Sequence, residues 1–210
     1  MPRVQKPILD VGCGYGYISL QALAAGKIVI ANDIAIEHLL YVRELALDSK
    51  LTLSKLYLNN KNFVFDLSFD KNSLSAVVLH RVLHFLTPDE IEKGLEKIHT
   101  WLEPKGKVFI VVMAPQHKEF STWFLPIYEQ RWKKGNKWPG VNLEVKKALP
   151  EQAYNLPKFM HVMDERPLRY VLEKVGFHIE KIDFISMKHF AKTSFERNGK
   201  EAIGVIAVKK

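Results

Sequence analysis

Cysteine is almost missing from this chain, with one residue, Cys13, in 210. A lone thiol excludes an internal disulfide framework and fits a reducing compartment, so the expected location is the cytoplasm. Long apolar runs are missing too. No stretch reaches the roughly 18 residues that a membrane span requires, and the N-terminus has no signal-peptide hydrophobic region. No G-x-x-x-x-G-K-[ST] string occurs, which excludes a P-loop. No G-x-G-x-x-G occurs either, because the position that needs its third glycine is Tyr17. There are no internal repeats and no low-complexity tract, and no metal ligand is assigned. At this length about one domain is expected, with enough chain to bury a large core.

What is present is concentrated in Ile8-Leu9-Asp10-Val11-Gly12-Cys13-Gly14-Tyr15-Gly16-Tyr17. Ile8, Leu9 and Val11 suit a short strand in a covered parallel sheet. Three glycines at alternate positions let the backbone turn sharply and lie against a ligand where a Cβ would clash. The helix that follows, from about Tyr17 to Ala25, points its free amides and positive end at that ligand. A strand, glycine loop and helix in this order form a nucleotide or nucleoside pocket.

A second strand is expected over residues 27–33, ending in Asp33, which lies 23 residues after Asp10. That is close to the spacing of a ribose-binding acid in a βαβ unit. The alternative for Asp33 is a cap on the following helix. A third apolar run, Phe63-Val64-Phe65-Asp66-Leu67, also ends in an acid. A fourth strand is read over Ser75 to Leu79 and leads into His80-Arg81-Val82-Leu83-His84-Phe85-Leu86. Thr87-Pro88-Asp89-Glu90 is a helix start with a capping box and proline at the first helical position. That helix runs to about Trp101, and a fifth strand covers Val108 to Val112. Pro167 to Val175 is a helix with Gly176 at its C′ position. Strands six and seven cover His178 to Ile185 and Ala202 to Val208, linked through Phe190 to Lys200.

The string DVGCGYG closely resembles motif I of the class I S-adenosylmethionine (SAM) methyltransferases. LHRVLHFLTPDE resembles the segment before that family's fourth helix, although Arg81 is unusual there. Leu102-Glu103-Pro104-Lys105-Gly106 resembles its turn into strand five, with Lys105 in place of a glycine, and Gly176-Phe177 resembles its turn into strand six. The resemblance covers about Ile8 to Met113 and Arg166 to Lys209. It implies an open, doubly wound, mostly parallel seven-stranded α/β sheet with helices on both faces. The last strand is antiparallel, and a helical insertion follows strand five. One domain spans residues 1–210, with residues 114–165 as a substrate cap inside it. The implied cofactor is SAM, with S-adenosylhomocysteine (SAH) as product. Asp10, Gly12, Cys13, Gly14 and Gly16 form its loop and Asp33 takes the ribose. Ile34 flanks the adenine, Asp66 and the Leu67 amide meet the adenine edge, and His80 touches the cofactor where it meets the acceptor. The family has a helix or two before the first strand, where seven residues stand here. The resemblance therefore implies a more open pocket, a second chain over it, or a sequence that starts late. A homodimer is one such arrangement.

A sulfonium methyl is already activated, so transfer needs alignment and exclusion of water more than a dedicated catalytic group. A base is required only where the acceptor must lose a proton. His80, His84 and His117 are the candidates, because histidine titrates near neutral pH. A carboxylate acceptor needs only a cation, and Arg81 supplies one. No NPPY or DPPY follows strand four, which disfavours the exocyclic amines of DNA bases. Cys13 sits in the glycine loop, so a thiol nucleophile for cytosine C5 is excluded.

Charge is lopsided. The first 100 residues carry 11 basic and 11 acidic side chains, and the remaining 110 carry 20 and 12. The whole surplus of +8 therefore lies in the half that holds the insertion. The insertion reads as an amphipathic helix over Gln116 to Gln130, interrupted at Pro126, then the basic, aromatic run Arg131 to Gly140, then Glu151 to Met163 with Tyr154. Trp123 and Tyr128, with Phe124, Trp132 and Trp138, are expected to wall an acceptor pocket. The expected partner is a small anionic or electron-rich molecule acted on at oxygen or nitrogen. RNA or protein is the alternative acceptor, since cations interleaved with aromatics suit single strands. A third reading is a SAM-binding or SAH-binding non-enzyme, or one subunit of a methyltransferase assembly.

Salt dependence separates the acceptors. A polyanion must lose affinity steeply with salt, and each phosphate contact removed lowers the slope by roughly one. A small acid held by one or two cations gives a shallow dependence, which is the expected outcome. A Lys133→Ala, Lys134→Ala, Lys137→Ala protein that loses RNA fragments held by the parent at physiological salt would instead establish the RNA reading.

Overall fold

The computed structural model of the chain describes residues 5–143, 145–148, 159–186 and 199–210. Seven strands form one sheet in the order β3-β2-β1-β4-β5-β7-β6. They are β1 (Ile8–Val11), β2 (Val29–Asn32), β3 (Leu56–Asn59), β4 (Leu74–His80), β5 (Leu102–Met113), β6 (Phe177–Ile185) and β7 (Ala202–Lys209). The first five pair in parallel, and β7 is antiparallel to both its neighbours. The helices are α1 (Tyr17–Ala24), α2 (Ile36–Asp48), α3 (Pro88–Trp101), α4 (Lys118–Ser121), α5 (Leu125–Lys133), α6 (Val145–Ala148) and α7 (Glu165–Val175).

From β1 the sheet winds outward in both directions. Parallel crossovers are right-handed, so winding one way places α1 and α2 on one face and winding the other way places α3 on the opposite face. The central strands are covered on both sides and are apolar accordingly. Leu9, Val29, Val77, Leu79 and Val108 are fully buried. The larger core lies under α3 and α7 and includes Ile91, Leu95, Ile98, Leu168, Val171 and Leu172. Smaller clusters under α1 and α2 hold Leu23 with Val29 and Ala46, and Ala31 with Leu39 and Val42. Strand order reverses between β1 and β4, and the crevice at that point is where ligands bind in such sheets.

Local rules explain the helix ends. The capping box on α3 forms, with Glu90 N–H donating to Thr87 Oγ1 and the Glu90 carboxylate accepting from Thr87 N–H. Asp164 caps α7 by accepting from Arg166 N–H at 2.9 Å, and Gly176 ends that helix in the left-handed region, at φ 102°. Lys105 adopts φ 67° inside β5, at the irregularity opposite Leu74 to Ala76, where the sequence pattern suggested a turn with glycine. An L-residue there costs roughly 1–2 kcal/mol.

Several elements differ from the sequence reading, among them β5, which starts at Leu102 and not at Val108. No element was assigned to α2 or β3, and β3 is a short strand at the sheet edge. Phe63 to Asp66 is a turn after β3, not the end of a third strand. Gln116 to Gln130 is not one helix, because α4 ends at Ser121 and α5 starts at Leu125 with Pro126 in its first turn. Proline's missing donor costs nothing there. Tyr154 and most of the Phe190–Lys200 link lie outside the described residues.

The insertion has its own core of Phe124, Tyr128, Leu143, Met160 and Val162. Arg131 Nη1 donates to the carbonyls of Pro139 and Val141, both at 2.9 Å, which ties the basic loop back to α5. The hydroxyl of fully buried Tyr128 accepts from the Asp164 amide at 3.2 Å. Tyr128→Phe is therefore expected to leave a buried N–H without its acceptor and to lower stability by about 1–3 kcal/mol. Chemical denaturation with an unchanged far-ultraviolet spectrum is the measurement, and an unaltered midpoint would remove this bond from the account.

Candidate active site at the β1–β4 crevice

The crevice is built from the end of β1. Asp10 is buried and accepts from Ser19 Oγ at 2.7 Å, which joins the strand to α1. Burial pushes the Asp10 carboxyl up to about 6. The loop then turns through Gly12 at φ 60° and Gly14 at φ 52°. A Cβ on Gly12 would stand 2.7 Å from Val82 Cγ2, so this glycine admits the segment after β4. A Cβ on Gly14 would meet nothing within 4 Å, so this glycine borders open space. The Cys13 amide donates to the Asn32 carbonyl at 2.9 Å, which fixes the loop to the end of β2. Burial, followed by Asp10 and Asp33, pushes the Cys13 thiol up to about 12, so it carries no nucleophilic thiolate.

Asp33 follows β2 and is 7% exposed. Its Oδ2 accepts from the Gly14 amide and its Oδ1 from the Ala35 amide, both at 2.9 Å. His38 Nδ1 stands 3.2 Å from Oδ1, at ion-pair distance without hydrogen-bond alignment. A carboxylate has about four acceptor positions, so two remain for a ligand's hydroxyls. The Asn60 side chain donates to the carbonyls of Asp33 and Ile34 and holds this corner from β3's side. Ile34 beside it is 74% exposed, and the exposed Tyr15 ring packs edge-on against His38 and Tyr41. Together these groups make a carboxylate with an apolar floor at the mouth of a glycine loop.

His80 ends β4 and is half-buried. Burial, then the Arg81 charge, holds its imidazole below the ordinary histidine range, so it is neutral at pH 7. Arg81 lies in the left-handed region at φ 64°, and its amide donates to the Val111 carbonyl at 2.8 Å. This strained residue turns the chain so that Val82 drops onto Gly12. His117 is half-buried in the turn after β5, its amide bonded to the Ala114 carbonyl.

Several expected site residues go elsewhere. His84 is 4% exposed and packed edge-on against Phe85, and burial pushes it down to about 3. It is a packing residue, out of reach of an acceptor. The amides of Asp66 and Leu67 both donate to the Asn62 carbonyl, so the Leu67 amide is spent within its own turn. Asp66 is exposed and in the field of Lys97, whose ammonium binds the Phe63 and Val64 carbonyls. Tyr128 fills the insertion's core and walls no pocket. Trp123 is half-buried against Phe124, with Lys147 4.3 Å over its ring. Trp138 packs on His161 and Tyr170.

The sequence reading passed over Ser19, Asn60 and Val82. Each acts through a contact with a residue on another element, and none stands in a recognisable string. Among the described residues no group of three or more His, Cys, Asp or Glu is arranged to hold a metal, and no helix is long and apolar enough to cross a membrane.

The carboxylate corner generates a direct expectation. Asp33→Ala should weaken SAH binding by about 1.5–3 kcal/mol, because charge-assisted bonds are lost. Gly12→Ala should also weaken it, since alanine must both sit at positive φ and displace Val82. Calorimetric titration reads both. Affinity within a factor of about two of the parent for Asp33→Ala would reduce that residue to a brace for Gly14 and Ala35.

Comparison with known proteins agrees with this geometry. Residues 8–106 match the family described as methyltransferase domain. The ubiquinone biosynthesis O-methyltransferase of Pasteurella multocida is 25% identical over 186 residues, covering 82% of this chain and 69% of that protein. A SAM-dependent methyltransferase from Methanosarcina mazei superposes with a TM-score of 0.74 at 21% identity, covering 98% of this chain and 92% of that one. The 1,6-didemethyltoxoflavin-N1-methyltransferase of Burkholderia thailandensis, solved with its substrate and SAH, gives 0.65 at 15% identity, covering 98% and 72%. The match of residues 8–106 to a methyltransferase domain, the strand order with its antiparallel β7 and the glycine loop at the β1–β4 crevice support a SAM-dependent methyltransferase and are consistent with class I.

Proposed function

We propose that the chain moves the methyl of SAM to an oxygen or nitrogen of a small anionic or electron-rich molecule. The observation that carries the cofactor half is the Asp33 corner. A buried carboxylate with two acceptor positions left over faces a glycine whose Cβ position opens onto empty space. Asp33 would hold the ribose hydroxyls, Ile34 and Tyr15 would cover the adenine, and the Gly12–Gly14 backbone would lie along the amino-acid portion. When bound, SAM supplies an activated sulfonium methyl for in-line displacement.

The chain's own residues do the rest. Positioning the two reactants accounts for roughly 7–11 kcal/mol of such a barrier. His80, neutral at pH 7 at the end of β4, takes the proton of a hydroxyl or amine acceptor, and Arg81 holds an acidic one. His117 stands at the neighbouring strand end as the second candidate base. Residues 114–165 act as the acceptor's cap. The relatives named for O-methylation in ubiquinone biosynthesis and for N1-methylation of a toxoflavin precursor favour a small acceptor.

A macromolecular acceptor is the second reading, favoured by the exposed lysines Lys133, Lys134 and Lys137 on and after α5. Lys137 sits over the rings of Trp132 and Tyr170, at 5.4 and 5.9 Å. That partial sequestration lowers its value as a phosphate ligand.

SAM and SAH should raise the melting temperature, whereas NAD and ATP should not. A ligand that binds only the folded state, at about 100 times its dissociation constant, stabilises by roughly 2.7 kcal/mol. Absence of SAM and SAH binding to the folded protein would overturn the reading. For the acceptor, His80→Phe should abolish transfer to phenols while SAH affinity holds within about threefold.

A further inference from the structure

The insertion's return segment is stitched to the protein by a short series of bonds. Leu143 N–H donates to the Met160 carbonyl at 3.0 Å, Val162 N–H to Gly140 at 3.2 Å and Met163 N–H to Met113 at 3.0 Å. Between them, His161 N–H donates to the carbonyl of His84 at 2.9 Å. His84 belongs to the 3-10 turn Leu83–Phe85 that follows Val82. His161 Nδ1 lies 3.4 Å from the carbonyl two residues on, Leu86. A residue of the insertion thus grips, at two points, the turn whose leading side chain rests on Gly12.

The grip is buried and rests on two histidines. His161 is fully buried against the Trp138 ring, and His84 is nearly so. His84 Nδ1 and His161 Nε2 are buried with no hydrogen-bond partner among the described residues. The charged or titratable groups acting on His84 are Arg81 and His80 from the β4 end and His161 from the insertion. All are cationic or able to become so. His161 lies beside the Leu86 carbonyl and faces His84. Among the described residues no carboxylate acts on either ring, so a second proton finds no anionic partner there. Burial holds His161 near about 4 and His84 near about 3.

We propose that His161 is a positioning residue for the donor loop. It clamps the 82–86 turn onto Gly12, and the clamp releases residues 160–163 when the His84–His161 pair takes up a proton. A ring kept neutral when clamped, and returned to ordinary proton affinity when open, opens more readily as pH falls. The insertion and the glycine loop are then coupled through Val82, whatever the acceptor.

Hydrogen exchange of the full chain without ligand tests this. Corrected for intrinsic rates, exchange at Met160–Met163 and Phe85–Leu86 should rise roughly tenfold or more between pH 7.5 and pH 5. Amides in β1 and β4 should not follow. The His84→Phe, His161→Phe double variant, which keeps ring volume and cannot titrate, should be flat. SAH affinity should fall with pH in the parent and less in the double variant. A flat parent, an equal rise in the double variant, or an equal rise in the central strands would each overturn the proposal. If the double variant does not fold, the two single variants decide, since each must lose part of the rise. The exchange arm uses no cofactor, so its outcome is independent of whether SAM binds.

Discussion

The bond from the Gly14 amide to the Asp33 carboxylate is the contact on which the site depends. It joins the loop after β1 to the residue after β2, and so turns two adjacent strand ends into one surface. Neighbouring bonds serve the same corner. Cys13 N–H reaches the Asn32 carbonyl, and Ser19 reaches Asp10. The Asn32 side chain reaches the Lys61 carbonyl at 2.8 Å, while Asn60 holds the Asp33 and Ile34 carbonyls. A carboxylate that is 7% exposed needs such partners, because an isolated buried charge is costly. Here the partners are mostly backbone amides, which leave the outer lone pairs directed at the crevice.

Strain collects on the opposite wall. Arg81 takes a left-handed conformation that a glycine would adopt without penalty. The conformation reverses the chain after β4, drops Val82 onto Gly12 and presents His80 and Arg81 at the strand end. The cost is met by burial of Leu83 and His84 beneath the turn and by the bonds from the insertion. Strain at a functional corner, held by packing around it, is the usual pattern.

The described residues of the insertion form a second small core. Arg166, from the first turn of α7, donates to Glu129 on α5 at 2.6 and 3.0 Å and to Asp164 at 2.6 and 2.9 Å. Its guanidinium also stands over the rings of Trp132 and Tyr128, at 4.9 and 5.4 Å. Both carboxylates hold Arg166 firmly protonated, and the bond from its guanidinium holds the Glu129 carboxyl low. Planar bidentate pairing of this kind adds direction as well as attraction. It explains why aromatic residues that read as pocket walls are instead consumed in joining α5 to α7.

Much of the site was legible in the chain itself. The glycine string after an apolar strand, the acid at the end of the next strand, the capping box of α3 and the Gly176 stop are local rules of backbone conformation, and short range suffices to state them. The same holds for the parallel sheet, because fully covered strands must be apolar along their whole length. Other roles could not be read locally. Asp66 and Leu67 were assigned to a strand end, but Asn62 gathers their amides into a turn, a choice made by the packing of Phe63 and Val64 under α3. Tyr128 and His84 have the composition of a site and the position of a core. Val82 and Asn60 look ordinary in sequence and matter because β4 and β3 deliver them beside Gly12 and Asp33. Spacing along the chain determined which backbone shapes were available, whereas burial and partners arise between segments far apart in sequence, and only the tertiary structure could decide them.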